Sequence, residues 1–404
     1  MGAGRPTGSV TAYNSPMTRF SRRVPRSRRR NRLTAARTRL GDTVTDLTVT
    51  NPTVSDLPYP DRLLDALADP RGLVYRPDPR GPLPARRAVA GWYRRWGVEV
   101  DPESVVLTAS TSEAYSLLLK LLCDPGDTVV APTPSYPLFE QLAGLDAVEL
   151  HPMPLEEDDD WRPRLDALDA APPSTRAVIV VHPNNPTGSF VHPEDAAALA
   201  SACRDRGLAL VADEVFLPFP LDGGPGADAS FAATDQCLTF TLGGLSKCLG
   251  LPQLKLAWVV ASGPEATVQE ALDRLDWIAD AYLSVSTPVA LAAPELLAAA
   301  APVGAAIAGR CRRNLAALRT AAAALPAASV PSVGGGWSAS LRLPAVVDEE
   351  ELALRLLVAR GVAVQPGYLY DLPRSPTLVL GLLTPEALWD AGVASLVAAL
   401  ADWL

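Results

Sequence analysis

The feature that most constrains this fold is a repeated alternation of short apolar segments with longer stretches of helical character. The short segments predict strands, and helices such as 193–206 separate several of them. Continuous apolar strands that alternate with helices are typical of a parallel sheet covered on both faces. The sequence therefore predicts an α/β fold with a large domain over residues 60–286. Its strands are predicted at 105–108, 128–131, 177–181, 208–212, 238–242 and 256–260.

The residues that flank the large domain predict a second, smaller α/β unit. Thr287-Pro288 is typical of a helix start, and alanine and leucine then dominate to about Leu325. We interpret 287–404 as a connecting helix and a small domain. We interpret 1–59 as a basic arm and a further part of the small domain, with a short strand at 46–53. The later elements are predicted as a strand at 337–343, a helix at 349–360, strands near Val362 and Leu378, and a last helix to Trp403.

Charge and apolar patterning argue against several classes of protein. The formal net charge of −9 and the pI of about 5.0 argue against general nucleic-acid binding. Arginines crowd residues 19–39 and no acidic residue precedes Asp42, which is typical of a solvated arm or helix face. We recognise no apolar stretch of membrane-spanning length and no signal-peptide core, so the protein is expected in the cytoplasm. Its 5 cysteines and 3 histidines are not spaced as metal ligands or as a disulfide framework, and no metal is expected.

Lysine is scarce in this arginine-rich chain, which contains only Lys120, Lys247 and Lys255. Lys247 follows a predicted strand, in the small-residue turn Gly-Gly-Leu-Ser-Lys-Cys. A lysine amine forms Schiff bases with carbonyl groups, and desolvation lowers its pKa enough to make the attack practical. The alternative is an ordinary surface lysine, and the apolar neighbours of Lys247 weaken that interpretation.

Two more predicted strand ends carry polar groups that suit a charged aromatic ring. Asp213-Glu214 follows the strand at 208–212, where a buried carboxylate is costly unless it pairs with a cation. A protonated pyridine nitrogen is a suitable partner for Asp213, and it would make the ring an electron sink. Asn185 lies in the turn after the strand at 177–181 and could hydrogen-bond a phenolic oxygen of the same ring.

Two further segments suit a phosphate and an aromatic stack. The hydroxyls of Ser110, Thr111 and Ser112 occur where a strand gives way to a helix, and a helix start can bind phosphate through its N–H groups. The alternative is a plain helix cap with Glu113 in the first turn. Tyr136 lies between prolines in a turn and could stack on a planar cofactor, although a buried turn tyrosine is the commoner explanation.

The order of these motifs gives the chain a family resemblance from about residue 17 onward. It carries Asn-Asn-Pro-Thr-Gly at 184–188, the Asp-Glu pair after a strand, Ser-Lys with a basic residue eight positions on, and the late Pro366-Gly367. In these motifs the chain resembles the class I/II aminotransferases of the fold-type-I pyridoxal phosphate superfamily. The resemblance implies a mostly parallel seven-stranded sheet between helices, and a smaller α/β domain.

The resemblance also implies a function and a set of site residues. The implied cofactor is pyridoxal 5′-phosphate, bound to Lys247 as a Schiff base, and Lys247 would also move protons. The implied reaction moves an amino group between an amino acid, or a related amine, and a 2-oxo acid. Tyr75 matches a tyrosine that reaches the phosphate of the neighbouring subunit, which implies a homodimer. The other implied contacts are Asp213 at the ring nitrogen, Asn185 at the phenolic oxygen, Tyr136 on the ring, and Ser110, Thr111, Ser112, Ser246 and Lys255 around the phosphate.

Three positions near the cofactor depart from the family pattern. Phe216 replaces a tyrosine that usually donates to the phenolic oxygen, so we expect the Schiff base to hold its proton more tightly. Gly244 replaces a serine, which removes one phosphate contact. Lys255 replaces an arginine, which leaves a cation without the bidentate geometry.

The substrate end departs further. Val379 stands where the family commonly has an arginine for the substrate α-carboxylate, and Thr50 replaces a glycine of the N-terminal substrate loop. Either another cation, such as Arg374, Arg80 or an N-terminal arginine, binds the carboxylate, or the substrate is unusual. Decarboxylation, elimination or oxidation on the same fold is therefore an alternative to transamination. The hypothesis from a different class is a cofactor-binding regulator or an inactive homologue.

Overall fold

Thirteen strands form three sheets in the computed structural model, which describes residues 20–24, 31–345, 348–374 and 376–403. Eight of these strands form the large sheet, in the order β2-β9-β8-β7-β6-β3-β4-β5. The strands, numbered along the chain, are β1 (Thr45–Asp46), β2 (Val105–Thr108), β3 (Thr128–Thr133), β4 (Glu149–Glu156), β5 (Arg162–Pro163), β6 (Thr175–Val181), β7 (Ala209–Asp213), β8 (Thr239–Gly244), β9 (Ala257–Ser262), β10 (Ser338–Arg342), β11 (Val362–Ala363), β12 (Gln365–Pro366) and β13 (Thr377–Gly381).

The large sheet is mostly parallel, as predicted. Strands β4, β3, β6, β7 and β8 run parallel to one another, whereas β9 is antiparallel to both of its neighbours. The seven strands implied by the resemblance are present, and the two-residue β5 adds an eighth at the edge, antiparallel to β4. The sequence analysis did not predict β4. This strand lies near the sheet edge, and its less exposed residues are interrupted by exposed ones, so it lacks the continuous apolar run used to find the other strands.

Eleven α-helices occur in the same described ranges and cover the sheets. The helix predicted at 193–206 and the one predicted at 349–360 are both confirmed with those bounds. The helices are α1 (Arg32–Leu40), α2 (Leu83–Tyr93), α3 (Thr111–Leu122), α4 (Leu138–Leu145), α5 (Ala167–Ala170), α6 (Pro193–Arg206), α7 (Leu245–Cys248), α8 (Glu265–Asp280), α9 (Thr287–Ala322), α10 (Glu349–Arg360) and α11 (Glu386–Trp403).

One edge of the large sheet gathers the residues that carry chemistry. Parallel strands end on the same side of a sheet, and ligands bind there in open α/β folds. The segment after β2 holds Ser110, and the segment after β3 holds Tyr136. Asn185 follows β6, Asp213 ends β7, and Lys247 follows β8. The chain therefore brings residues as far apart in sequence as 110 and 247 to one edge.

Helix α9 is the longest element, with 36 residues, and it continues past Pro294 and Pro302. It is long and apolar enough to cross a membrane by length and composition, so the sequence prediction that no stretch reaches that length is wrong. Leu296 and Ile307 of α9 are nevertheless buried in one core cluster that also contains Trp258 of β9. The apolar character of α9 is therefore that of a helix packed inside a protein core.

The small domain is built on two short sheets. Strand β1 pairs in parallel with β11, and β13 lies between β10 and β12 in an antiparallel sheet. The strand predicted at 46–53 is wrong beyond Asp46. The carboxylate of Asp46 accepts hydrogen bonds from the backbone N–H (2.8 Å) and hydroxyl (2.6 Å) of Thr48, and this local bonding turns the chain away from an extended path.

The two domains meet closely at two glycine-rich segments. Gly188 ends the Asn-Asn-Pro-Thr-Gly turn with a φ of +73°, and its carbonyl accepts the N–H of Gly335 at 2.9 Å. A Cβ at residue 188 would lie 2.6 Å from Cγ1 of Val333 and 2.7 Å from the carbonyl oxygen of Gly335. Glycine is therefore required at 188 both by the backbone angle and by the approach of the segment before β10.

A comparison of alanine at Gly188 with alanine at Gly207 should separate the cost of the backbone angle from the cost of the close approach. Gly207 ends α6 with a similar φ of +64° but has no heavy atom within 4 Å of its Cβ position. We expect Gly207→Ala to lower the free energy of unfolding by about 1 kcal/mol, through backbone strain alone. Gly188→Ala should lower it by about 3 kcal/mol, because overpacking adds to the strain. Urea unfolding of both variants measures the difference, and equal losses would contradict the close approach.

Candidate active site

Lys247 is half-buried beyond the carboxyl end of β8, in the short helix α7. Its Nζ lies 5.4 Å from the ring centre of Phe216 and 5.3 Å from that of Trp337. Burial lowers the pKa of Lys247, and the nearby Asp213 carboxylate opposes this by favouring the ammonium form. An amine in this setting can lose its proton near neutral pH more readily than a surface lysine and act as a nucleophile or a base.

Asp213 ends β7 with a buried carboxylate. One oxygen, Oδ1, accepts the backbone N–H of Val215 at 3.1 Å, and the other, Oδ2, accepts the hydroxyl of Tyr115 at 3.1 Å. Burial raises the pKa of Asp213, while these two hydrogen bonds and the Lys247 ammonium lower it. A desolvated carboxylate of this kind is stabilised by a cationic partner, which a protonated ring nitrogen would supply.

Asn185 faces the small domain. Its Oδ1 lies 3.2 Å from the hydroxyl of Ser338 in β10, which can donate to it. The preceding Asn184 donates its amide to the carbonyl of Pro134 at 3.1 Å and to the hydroxyl of Thr187 at 3.0 Å. The turn that carries Asn185 is thereby tied to the turn that carries Tyr136, whose ring is 49% exposed. The turns that carry the two candidate ring contacts are thus joined by a hydrogen bond.

The start of α3 combines both sequence interpretations of the hydroxyl segment. Oγ of Ser110 accepts the N–H of Glu113 at 3.1 Å, and the carboxylate of Glu113 accepts the N–H of Ala109 at 2.6 Å. Ser110 is therefore the helix cap of the simpler alternative, and Glu113 bonds back to the residue before the cap and not to the cap itself, as it would in a capping box. The first N–H groups of the helix, at Thr111 and Ser112, have no partner within it and point outward from its start, so the same geometry suits a phosphate.

The other predicted cofactor contacts lie at the same edge or on the surface. Ser246 is in α7 next to Lys247, and Lys255 lies exposed just before β9 with a left-handed φ of +53°. Gly244 has its Cβ position only 3.0 Å from Cβ of Ala257, so a serine would not fit here without a shift. Tyr75 is 76% exposed on its own subunit. Nothing in a single chain tests the roles assigned to these residues, and they stay predictions.

The residues directly opposite Val379 in the small-domain sheet carry uncharged side chains. Cross-strand pairs place Ser340 opposite Val379 and Val379 opposite Gln365, so all three side chains share a face. Ser338, two residues before Ser340, is on the same face and contacts Asn185. The opposite face carries Leu341 and other apolar residues of the core. The groups beside Val379 on this face, Ser340 and Gln365, are uncharged, and Arg342, two residues after Ser340 on the same face, pairs with Glu157.

Arg80 and Arg374, two of the arginines considered for binding the substrate carboxylate, are engaged by carboxylates. Arg80 pairs with Asp276, with an Nη2–Oδ2 distance of 2.7 Å. Nε of Arg374 lies 2.6 Å from Oε2 of the buried Glu157, and the same guanidinium pairs with the exposed Asp158. Arg342, at the end of β10, also pairs with Glu157. The N-terminal arginines at 1–19 and 25–30 lie outside the described residues.

Three residues at the site were missed by the sequence analysis. Tyr115 and Ser338 touch Asp213 and Asn185 respectively, and Trp337 lies against Lys247. Tyr115 is one helical turn after Thr111, a spacing that could have indicated a side chain on the same face. Trp337 and Ser338 follow three glycines at 334–336, which marked a close backbone approach but did not identify the partner.

The residues present fit pyridoxal phosphate. The site offers a buried amine, a buried carboxylate in need of a cation, and an amide for an oxygen of the ring. The indole Nε1 of Trp337 is buried without a hydrogen-bond partner in the described part of the chain, so one donor beside Lys247 is unsatisfied. A planar, charged and phosphorylated ring would match this set of groups.

Comparison with known proteins places the chain among relatives of one kind. It is 27% identical over 252 residues to the glutamate-pyruvate aminotransferase AlaA of Haemophilus influenzae, and the match covers 62% of each protein. It is 31% identical over 301 residues to the capreomycidine synthase of Streptomyces vinaceus, covering 74% of this chain and 75% of that protein. The chain thus spans less than two thirds of the length of the first of these relatives.

A solved structure shows the fold. The alanine aminotransferase from Pyrococcus furiosus superposes with a TM-score of 0.82 at 21% identity, over 90% of this chain and 94% of that one. The family model described as aminotransferase class I and II matches residues 43–380. These findings confirm the predicted fold type and the predicted cofactor. The chain belongs to the class I and II aminotransferase family, whose members depend on pyridoxal 5′-phosphate.

Proposed function

We propose that the protein is an aminotransferase that moves an amino group between an amino acid, or a related amine, and a 2-oxo acid. The observation that carries this proposal is that the Lys247 amine and the buried Asp213 carboxylate, each of which shifts the pKa of the other, lie at the ends of the neighbouring strands β8 and β7. Bound pyridoxal phosphate supplies a carbonyl that condenses with amines and a ring that withdraws electrons from the substrate α-carbon.

Each residue of the site has a distinct task in this proposal. Lys247 holds the cofactor, and Asp213 keeps the ring nitrogen protonated through its negative charge. Asn185 orients the phenolic oxygen, and the ring of Tyr136 covers one face of the cofactor. The N-terminus of α3 and the hydroxyls at 110–112 bind the phosphate. Family membership and the shared sheet edge support these assignments.

Proton movement falls to Lys247 once the substrate has taken its place on the cofactor. Burial lowers the pKa of its amine, so the neutral form that can remove the α-proton is more accessible than it is for a surface lysine. Asp213 is the carboxylate that acts on Lys247, and it limits this shift. The aromatic rings of Phe216 and Trp337, 5.4 and 5.3 Å from Nζ, would shield the amine in part from solvent while it holds or releases a proton.

A second candidate function is another pyridoxal phosphate reaction, such as decarboxylation, elimination or oxidation. Val379 and its uncharged neighbours Ser340 and Gln365 favour it, because the cation of that face, Arg342, is already paired with Glu157. The similarity to a protein named capreomycidine synthase, which is not named as an aminotransferase, also favours it. The distinction between the two candidates is the fate of the amino group.

Single-turnover spectroscopy distinguishes them. We expect the cofactor-loaded enzyme to convert to pyridoxamine phosphate with at least one amino donor in a panel of amino acids and amines. A 2-oxo acid should then restore the original absorbance, because the two half-reactions are the reverse of each other. Lys247→Ala should abolish the conversion, whereas Lys120→Ala should not, because Lys120 pairs with Asp146 on the surface. Release of carbon dioxide, ammonia or hydrogen peroxide without pyridoxamine phosphate would favour the second candidate.

We further propose a homodimer with shared sites. Tyr75 is 76% exposed, and the neighbouring Leu73 and Tyr282 are 91% and 55% exposed. These side chains lie beside a cavity of about 310 Å³ lined by residues of the 71–82 segment and by the start of α9. Exposed apolar side chains in such a cluster mark a protein interface. A second copy that covers this surface would receive Tyr75 at its phosphate site.

Mixed dimers test the shared site. Tyr75→Ala should weaken cofactor binding in the neighbouring subunit, and Lys247→Ala should inactivate its own subunit. Refolding the two variants together in equal amounts makes about half of the dimers hybrid, each with one intact site. At a cofactor concentration that leaves the Tyr75→Ala dimer mostly empty, we expect about a quarter of the wild-type activity. Activity no higher than that of the separate variants would count against the shared site.

Phe216 gives a prediction about the Schiff base. Without a hydroxyl donor to the phenolic oxygen, and with the Phe216 ring 5.4 Å from Nζ, the protonated form should persist through neutral pH. Phe216→Tyr should lower the pKa of the Schiff base by about one to two units, because the new donor stabilises the deprotonated form. The absorbance of both proteins, titrated between pH 5 and 10, measures this. A wild-type midpoint below neutral pH would refute the expectation.

A further inference from the structure

Tyr115 makes the hydrogen bond that connects helix α3 to the carboxylate of Asp213. Its hydroxyl donates to Oδ2 at 3.1 Å, and both side chains are buried, Tyr115 with 5% and Asp213 with 9% of its surface exposed. The two residues are 98 positions apart in the chain. The contact therefore depends on the packing of α3 against the sheet and not on local chain geometry.

Packing alone does not explain why residue 115 carries a hydroxyl. Its ring belongs to the apolar cluster that contains Val211 and Leu242, and it meets Phe139 edge-on with ring centres 5.2 Å apart. A phenylalanine would fill the same volume, and a hydroxyl buried among apolar groups is costly unless it is bonded. Its bonding partner here is the one carboxylate that would face the cofactor ring. The hydroxyl is thus placed where its effect is on Asp213.

The two donors to Asp213 fix the plane of the carboxylate. Val215 N–H reaches Oδ1 and Tyr115 O–H reaches Oδ2, so rotation of the carboxylate would break one bond or the other. Each oxygen keeps a lone pair for a further donor. The ring of Tyr115 also contacts Phe139 of α4, the helix that starts just after Tyr136. The Tyr115 side chain therefore contacts Asp213, which is assigned to the ring nitrogen of the cofactor. It also contacts α4, the helix that follows Tyr136, which is assigned to the face of the cofactor ring.

We propose that Tyr115 is a positioning residue that holds the Asp213 carboxylate in the orientation and charge state in which it binds the protonated ring nitrogen of pyridoxal phosphate. This inference rests on the cofactor site of the proposed function. Tyr115 acts through Asp213 and does not itself touch the substrate.

The electrostatics of the pair agree with this role. Burial raises the pKa of Asp213, and the hydrogen bond from Tyr115 lowers it. Burial and the negative charge of Asp213 raise the pKa of Tyr115 well above its ordinary value, so Tyr115 remains a donor at every working pH. Removal of the hydroxyl should raise the pKa of Asp213. The ionised carboxylate is the form that binds the ring cation. The acid limb of cofactor binding, which is the fall in affinity as the pH is lowered, should therefore move to higher pH.

Tyr115→Phe tests the proposal, with Tyr93→Phe as the matched control. Tyr93 is also buried, and its hydroxyl accepts the indole N–H of Trp258 at 3.1 Å. The control thus loses a buried tyrosine hydroxyl that makes no hydrogen bond to Asp213. We expect Tyr115→Phe to weaken pyridoxal phosphate binding about tenfold, as for loss of a hydrogen bond to a charged group, and Tyr93→Phe to leave it unchanged. Absorbance titration of the apoenzyme at several pH values measures binding and its acid limb.

A double-mutant comparison shows whether Tyr115 acts through Asp213. Asp213→Asn should weaken binding strongly, and Tyr115→Phe in that background should add little, because the group that it positions is gone. Equal binding and equal acid limbs in Tyr115→Phe and Tyr93→Phe would overturn the proposal, as would fully additive effects with Asp213→Asn. Since no turnover is required, these results stand even if the enzyme proves not to transaminate. A wild-type protein that binds no pyridoxal phosphate would refute the proposed function itself.

Discussion

The structure depends on the burial of two opposite charges, the carboxylate of Asp213 and the amine of Lys247, at one edge of a parallel sheet. Burial penalises the charged form of each, and each partly restores the charge of the other. Neighbouring strands β7 and β8 are what bring them together, since both end at this edge. A site in this state is incomplete without a cation for the carboxylate and a carbonyl for the amine, and one cofactor supplies both.

The second constraint is that the site lies where two domains meet. The large domain supplies Asn185 and Gly188, and the small domain brings Ser338 and Gly335 against them. The Gly188–Gly335 contact and the Asn185–Ser338 hydrogen bond both require the two parts of the chain to be packed together. Because backbone approaches backbone here, small shifts of the small domain would move the Ser338 wall relative to the cofactor. The geometry of the substrate pocket is therefore linked to domain packing.

Sequence patterns predicted the parts of this site that local rules govern. Strand ends in α/β folds locate ligands, so Asn185, Asp213 and Lys247 could be found from apolar segments and the turns after them. Tyr115 and Ser338 could not, because their partners lie 98 and 153 residues away and only packing brings them together. The strand expected at 46–53 failed for a local reason instead: the Asp46 carboxylate bonds Thr48 and turns the chain.

The departures from the family pattern are distributed in a way that the architecture explains. The residues proposed to hold the ring of the cofactor come from strand ends of the large sheet, where Tyr115 and Val215 donate hydrogen bonds to Asp213. The wall with Val379 and Ser340 comes from a different sheet, whose other face supports the core. The fold can therefore retain one cofactor site while the wall that carries Val379 varies separately.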